Sequence, residues 1–282
     1  MTASRHTPAV LSGTVQTSIT SKRTLGALLV SFGLILALAP ALATPRQGAA
    51  PLVAAAADLK FAFDEIVERY RADNGIAVRV AYGSSGNFAR QIARGAPYEI
   101  FLSADERFID DLHEQGLTRG TGDLYAIGRI VVFAPEGSPL TPDPRLDDLA
   151  RRLAAGGIAR FAIANPEHAP YGRAAEQALR ARGIWNALRP RLVLGENAAQ
   201  AAQFASGGDT EGGIVAYSLA LSPELRRRGT FALIPESMHA PLRQRMVLLK
   251  PASPVAERFY EYLRSPASRE ILARHGLSLP AE

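Results

Sequence analysis

The 282-residue sequence contains no cysteine. That excludes a disulfide framework, a lipid-modified cysteine anchor, thiol catalysis and thiolate metal sites. Histidine is scarce. His6, His113, His168, His239 and His275 are scattered, and none pairs with another at metal-ligand spacing. The glycine signatures of nucleotide chemistry are missing, as are a G-x-S-x-G nucleophile elbow and an H-E-x-x-H zinc helix. No spacing forces two carboxylates together, so a glycosidase-type pair has no support. Dense positive charge is confined to Arg226-Arg227-Arg228, which has no aromatic neighbours to stack on bases. It reads as a solvated face, and nucleic acid is not implied.

What is present is a globular composition, 47% hydrophobic and 21% charged, in a chain long enough for two domains. Lys22 and Arg23 precede an apolar run from Leu25 to Leu38, followed by Ala41-Leu42-Ala43. A basic start, a short apolar run and a small-x-small site predict a signal peptide over 1–43. The run is shorter than the ~20 residues that span a bilayer. Removing residues 1–43 takes away Arg5, Lys22 and Arg23 and no acid, which lowers the formal charge from +5 by three. The remaining chain is therefore only mildly basic, and export to the periplasm is the expectation.

From Pro51 the pattern alternates. An apolar small-residue strand, Pro51–Ala57, leads through Asp58 as helix cap into a helix over Leu59–Ala72. Strands at Ile76–Tyr82 and Tyr98–Ser103 each precede a further helix, giving β-α-β-α-β-α and hence a parallel sheet wrapped by helices. A long strand, Tyr125–Ala134, is placed to cross between domains. A second α/β unit follows, with strands at 160–164, 191–194, 213–217 and 231–234. Its helices are expected at 146–155, 173–182, 198–206 and 219–227. A strand at 245–249 and helices at 255–264 and 267–275 complete the chain. The expected division is 50–130 plus 241–282 as one domain and 131–240 as the other.

The stretch with the clearest chemistry is Tyr82-Gly83-Ser84-Ser85-Gly86, a strand end and tight turn before the amphipathic helix carrying Phe88 and Ile92. Either serine can cap that helix. With no acid between Gly83 and Gly95, its free N–H groups and hydroxyls suit an anion. Similar helix starts recur at Ala57-Asp58, Pro170-Tyr171-Gly172 and Asn197-Ala198, where ligands of parallel sheets bind. Two such units would close on a ligand about a hinge. Ser85 as a hydrolase nucleophile stays open as an alternative, although nothing nominates its base.

In combination and in order, several segments resemble the periplasmic molybdate-binding proteins of ABC transporters, within the type II periplasmic binding proteins. They are Ala54–Lys60, Tyr82–Gly86, Gln91–Pro97, Phe101–Glu106, Ala126–Arg129, Asn165–Gly172 and Gly213–Val215. The resemblance implies an α/β fold of two α/β domains joined by a hinge. Tetrahedral molybdate or tungstate would sit between them, held by N–H and hydroxyl donors with no direct bond to the metal. Matched by motif, the implied ligand residues are Ser85 through its hydroxyl, Tyr171 through its phenol and Ala198 through its N–H. Ala57 and Asp58 stand where the family offers Ser, Thr or Asn. Their N–H groups are expected to serve, with the Asp58 carboxylate turned away as a helix cap. Tyr217 follows Gly213-Ile-Val one position later than in one branch of the family, and by strand alternation it is expected to face away. The implied protein is a monomeric receptor, not an enzyme and without a cofactor, that hands its anion to an inner-membrane ABC permease. A receptor for another oxyanion such as sulfate is the alternative of the same class.

Overall fold

The computed structural model describes residues 49–280, so the signal-peptide reading of 1–43 lies outside the described residues. Strand β1 (Leu52–Ala56) is paired in parallel on both sides, with β2 (Arg79–Gly83) and β3 (Ile100–Ser103). A strand enclosed in this way has no solvent face, which is why its sequence runs apolar instead of alternating. A 3-10 turn, Ala57–Leu59, connects β1 to α1 (Lys60–Asn74). Gly75 closes α1 in the left-handed conformation at φ 69°, which glycine adopts at no steric cost. Helices α2 (Ser85–Ala93) and α3 (Arg107–Glu114) follow β2 and β3.

The expected long strand at 125–134 is two strands, β4 (Asp123–Gly128) and β5 (Ile130–Pro135), separated at Arg129. They belong to different sheets, so the chain crosses there. The second sheet continues with α4 (Asp147–Ala154), β6 (Phe161–Ala164), α5 (Pro170–Ala181), α6 (Trp185–Leu188), β7 (Leu192–Gly195) and α7 (Ala198–Ser206). Then come β8 (Gly213–Ala216), α8 (Tyr217–Ala220), α9 (Pro223–Arg228) and β9 (Gly229–Leu233). The chain returns through β10 (Leu242–Leu248) to α10 (Pro254–Leu263) and α11 (Pro266–Arg274).

Each sheet has five strands, in the orders β2-β1-β3-β10-β4 and β7-β6-β8-β5-β9. In the first, β10 runs antiparallel between β3 and β4. In the second, β6 pairs in parallel with β7 and β8, whereas β5 is antiparallel to β8 and β9. A large apolar core fills the second sheet's surroundings, with a small separate cluster of Ala164, Ala169 and Ala201 beside it. The first sheet has a core on each face: Phe63, Ile66 and Phe259 on one, Phe88, Phe101 and Ile109 on the other.

Besides the split strand, four further expectations are corrected. Asp58 caps no helix: it lies inside the 3-10 turn, and α1 begins two residues later. Helix α5 begins at Pro170 rather than Arg173, because proline at the first position needs no N–H partner and has its φ preset. The single helix expected at 219–227 is interrupted at Ser222, which caps α9 with its side chain. Tyr217 is not a strand residue; it opens α8, and its ring packs edge-on against Phe231, away from the site described next.

Candidate anion-binding site

The parallel strands of both sheets end around one small cleft. The first sheet contributes Ala56, Ala57 and Asp58 after β1, Gly83, Ser84 and Ser85 after β2, and Ala104 after β3. The second contributes Ala169, Pro170 and Tyr171 at the start of α5, and Ala198 at the start of α7. The cavity is small, about 10 Å³. All five residues expected to hold an anion, Ala57, Asp58, Ser85, Tyr171 and Ala198, line this space. They come from four segments up to 141 positions apart, and only the fold brings them together.

The two serines divide their roles. Ser84 is the N-cap of α2 and accepts from the Asn87 N–H at 3.4 Å. Its oxygen also lies 3.0 Å from Nδ1 of His168, on the loop before α5. Ser85 is therefore free of capping. Its Oγ accepts from the Ala104 N–H at 2.9 Å, which leaves the hydroxyl proton to donate elsewhere. The imidazole nearby pairs with Ser84, so among the described residues the geometry offers Ser85 no histidine base of the kind a serine hydrolase needs.

The start of α7 is capped by Asn197, whose side chain accepts from the Gln200 N–H at 3.0 Å. The N–H of Ala198, like that of Tyr171 in the first turn of α5, has no carbonyl to reach within its own helix. Both helix starts add partial positive charge to the site.

Tyr171 departs from expectation. Its phenol donates to Asp58 Oδ2 at 2.9 Å rather than serving as an open donor in the cavity. Gln244 of β10 donates from Nε2 to the same Oδ2 at 2.7 Å and to the Tyr171 oxygen at 2.9 Å. The Tyr125 hydroxyl of β4 donates to Gln244 Oε1 at 2.8 Å, fixing which end of the amide faces Asp58. Nothing in the sequence around Gln244, a neutral residue between Arg243 and Arg245 on a strand, signalled this role. His168 lies within the segment Asn165–Gly172, and none of its sequence neighbours points to Ser84 as its partner.

Asp58 is buried, and burial raises its carboxyl pKa to about 6 despite the hydrogen bonds from Gln244 and Tyr171 that pull it down. The same burial, with the Asp58 charge beside it, pushes the Tyr171 phenol well above its ordinary value, so it stays a proton donor.

Direct bonds join the two sheets' elements around the cavity. The Gly86 N–H donates to the His168 carbonyl at 3.0 Å, and the Ser218 hydroxyl of α8 donates to the Asp58 carbonyl at 2.8 Å. The Asn87 side chain bonds Glu196, and Arg173 of α5 pairs with Asp105. Burial would raise the Asp105 carboxyl, but its hydrogen bonds from Arg107 and the charge of Arg173 outweigh this and hold it below the usual range. Gly86 is required by closeness rather than by torsion: a Cβ there would stand 2.7 Å from the His168 carbonyl oxygen. Among the described residues no cluster of His, Asp and Glu is arranged to hold a metal ion, and no helix is long and apolar enough to cross a membrane.

The model of the family described as bacterial extracellular solute-binding protein matches residues 51–278. The chain is 33% identical over 244 residues to the molybdate-binding protein ModA of Rhodobacter capsulatus, covering 86% of this chain and 93% of that one. It is also 33% identical over 241 residues to the ModA protein of Azotobacter vinelandii, covering 84% and 93%. The solved periplasmic molybdate-binding protein of Azotobacter vinelandii superposes with a TM-score of 0.73 at 28% identity, over 82% of this chain and all of that one.

Proposed function

The chain belongs to the bacterial extracellular solute-binding proteins, and from that premise we propose that it is a receptor for molybdate or tungstate. It captures the anion between two lobes, 50–130 plus 241–282 and 131–240, and delivers it to an ABC permease in the inner membrane. The observation that carries this reading is the convergence of strand ends and helix starts on one small, donor-rich space. The Ser85 hydroxyl and the first-turn N–H groups of Tyr171 and Ala198 are its donors, with the N–H groups of Ala57 and Asp58 facing them. Oxygen atoms of the anion accept from these groups, and no residue bonds the metal itself. The relatives' names supply the identity of the anion. Such a protein catalyses no reaction, requires no cofactor, works as a monomer and resides in the periplasm.

Calorimetric titration with molybdate, tungstate and sulfate tests the proposal. Molybdate and tungstate are expected to bind far more tightly than sulfate. Comparable affinity for sulfate would refute the assignment, and turnover of an ester or amide lost in Ser85→Ala would refute the receptor class.

A further inference from the structure

Asp58 is the one acid among the residues that line the cavity, and its two oxygens are treated unequally. Oδ2 accepts from both Gln244 Nε2 and Tyr171 Oη. Oδ1 is buried and has no partner. An ionised carboxylate here would leave an unpaired charge out of water, beside a site whose other groups donate. A carboxylic acid fits the same contacts: with two donors already on Oδ2, the proton has its place on Oδ1.

Resting on the receptor reading above, we propose that Asp58 serves the site as a carboxylic acid whose Oδ1–H is a donor, so that capturing a fully ionised tetrahedral anion takes up one proton from solvent. The side chain then does the work of a neutral hydrogen-bonding residue while the bound dianion meets no opposing charge. Selectivity changes with it: donors alone surround the anion, and one that carries its own proton finds no acceptor.

The groups facing the carboxyl support this. Tyr171 comes from α5 and Tyr125 from β4, both buried phenols held above their ordinary range. Gln244 of β10, which donates to the carboxyl, is neutral, and so is Ser218 of α8, which donates to the Asp58 main-chain carbonyl and not to the carboxyl. Among the described residues, no lysine, arginine or histidine bears on the Asp58 carboxyl, so only Gln244, Tyr171 and its own backbone oppose the burial that favours its protonated form.

The test is calorimetric titration of molybdate into the wild type and Asp58→Asn between about pH 5.5 and about pH 8.5, in buffers of two different ionisation enthalpies. The wild type is expected to lose affinity by roughly tenfold per pH unit above about pH 6.5, taking up one proton per anion. That proton count needs no variant. Asp58→Asn keeps the shape and an Nδ2–H donor without titrating. It is expected to show a flat profile and to bind more tightly than the wild type at the alkaline end. A flat wild-type profile without proton uptake overturns the proposal, as does the wild-type slope persisting in Asp58→Asn. Tight binding of inorganic hydrogenphosphate that Asp58→Asn abolishes also overturns it, since Asp58 would then be an ionised acceptor. If neither protein binds molybdate, tungstate or sulfate even at the acidic end, the receptor reading fails and takes this inference with it.

Discussion

Removing the Ser85 hydroxyl should have two separable effects, each with its own magnitude. The Oγ accepts from the Ala104 N–H at 2.9 Å and directs its proton elsewhere. Replacement by alanine leaves the Ala104 N–H without its acceptor in a buried setting, a cost of about 1–3 kcal/mol. For a chain of this size that corresponds to a fall in the melting temperature of several degrees, at roughly 2–4 °C per kcal/mol. The same change removes a donor to a charged ligand, worth about 1.5–3 kcal/mol, or a loss of affinity of roughly 10- to 150-fold. Ser84→Ala is the matched control. It deletes the cap of α2, with a stability cost of about 0.5–2 kcal/mol, and it breaks the contact with His168. The Ser84 hydroxyl is engaged in these contacts, so the affinity loss should be the smaller of the two. Thermal unfolding without ligand and calorimetry with molybdate measure both quantities on the same samples. If Ser85→Ala binds molybdate within threefold of wild type while Ser84→Ala does not, the division of labour between the two serines is wrong.

Burial of Asp58 also has a stability consequence. Its carboxyl is raised from 3.8 to about 6 in the fold, so the native state holds a proton that the unfolded chain releases first. The associated stability is fully present below about pH 4 and is lost as pH rises towards 6, by up to roughly 3 kcal/mol. Asp58→Asn should therefore gain stability over wild type through that window and keep the gain at pH 7; a constant difference in denaturation midpoint across pH would contradict this. Gly86→Ala places a Cβ 2.7 Å from the His168 carbonyl and should weaken anion binding at least tenfold, because the helix start and the loop before α5 can no longer close together. Unchanged affinity would mean that this contact is not made in the bound state. Tyr171→Phe removes one donor from Asp58 Oδ2, so the decline of affinity with pH should begin at a higher pH. A uniform loss at every pH would instead restore the phenol to the role of direct anion ligand.

By itself, the sequence determined the local elements and their chemistry. The unbroken apolar run at β1 reads as an enclosed strand, Gly-Ser-Ser-Gly before an amphipathic helix reads as a turn and helix start, and Asn197-Ala198 reads as another helix start. Periodicity and capping depend on neighbours a few residues away, so they can be read along the chain. Tertiary structure alone decided what the side chains face. Nothing near Asp58 foretells Gln244, 186 positions later, and it is Gln244 and Tyr171 that draw the carboxyl out of a capping role into a buried network. Nothing near Ser84 foretells His168, whose imidazole and carbonyl tie the second sheet's loop to the start of α2. The break at Arg129 has the same origin: the residues of β4 and β5 would all suit one strand, but their partners lie in different sheets. Long-range pairing and desolvation arise only when distant segments meet, and at this site they determine which serine is free, which tyrosine proton is engaged and how easily an aspartic acid gives up its proton.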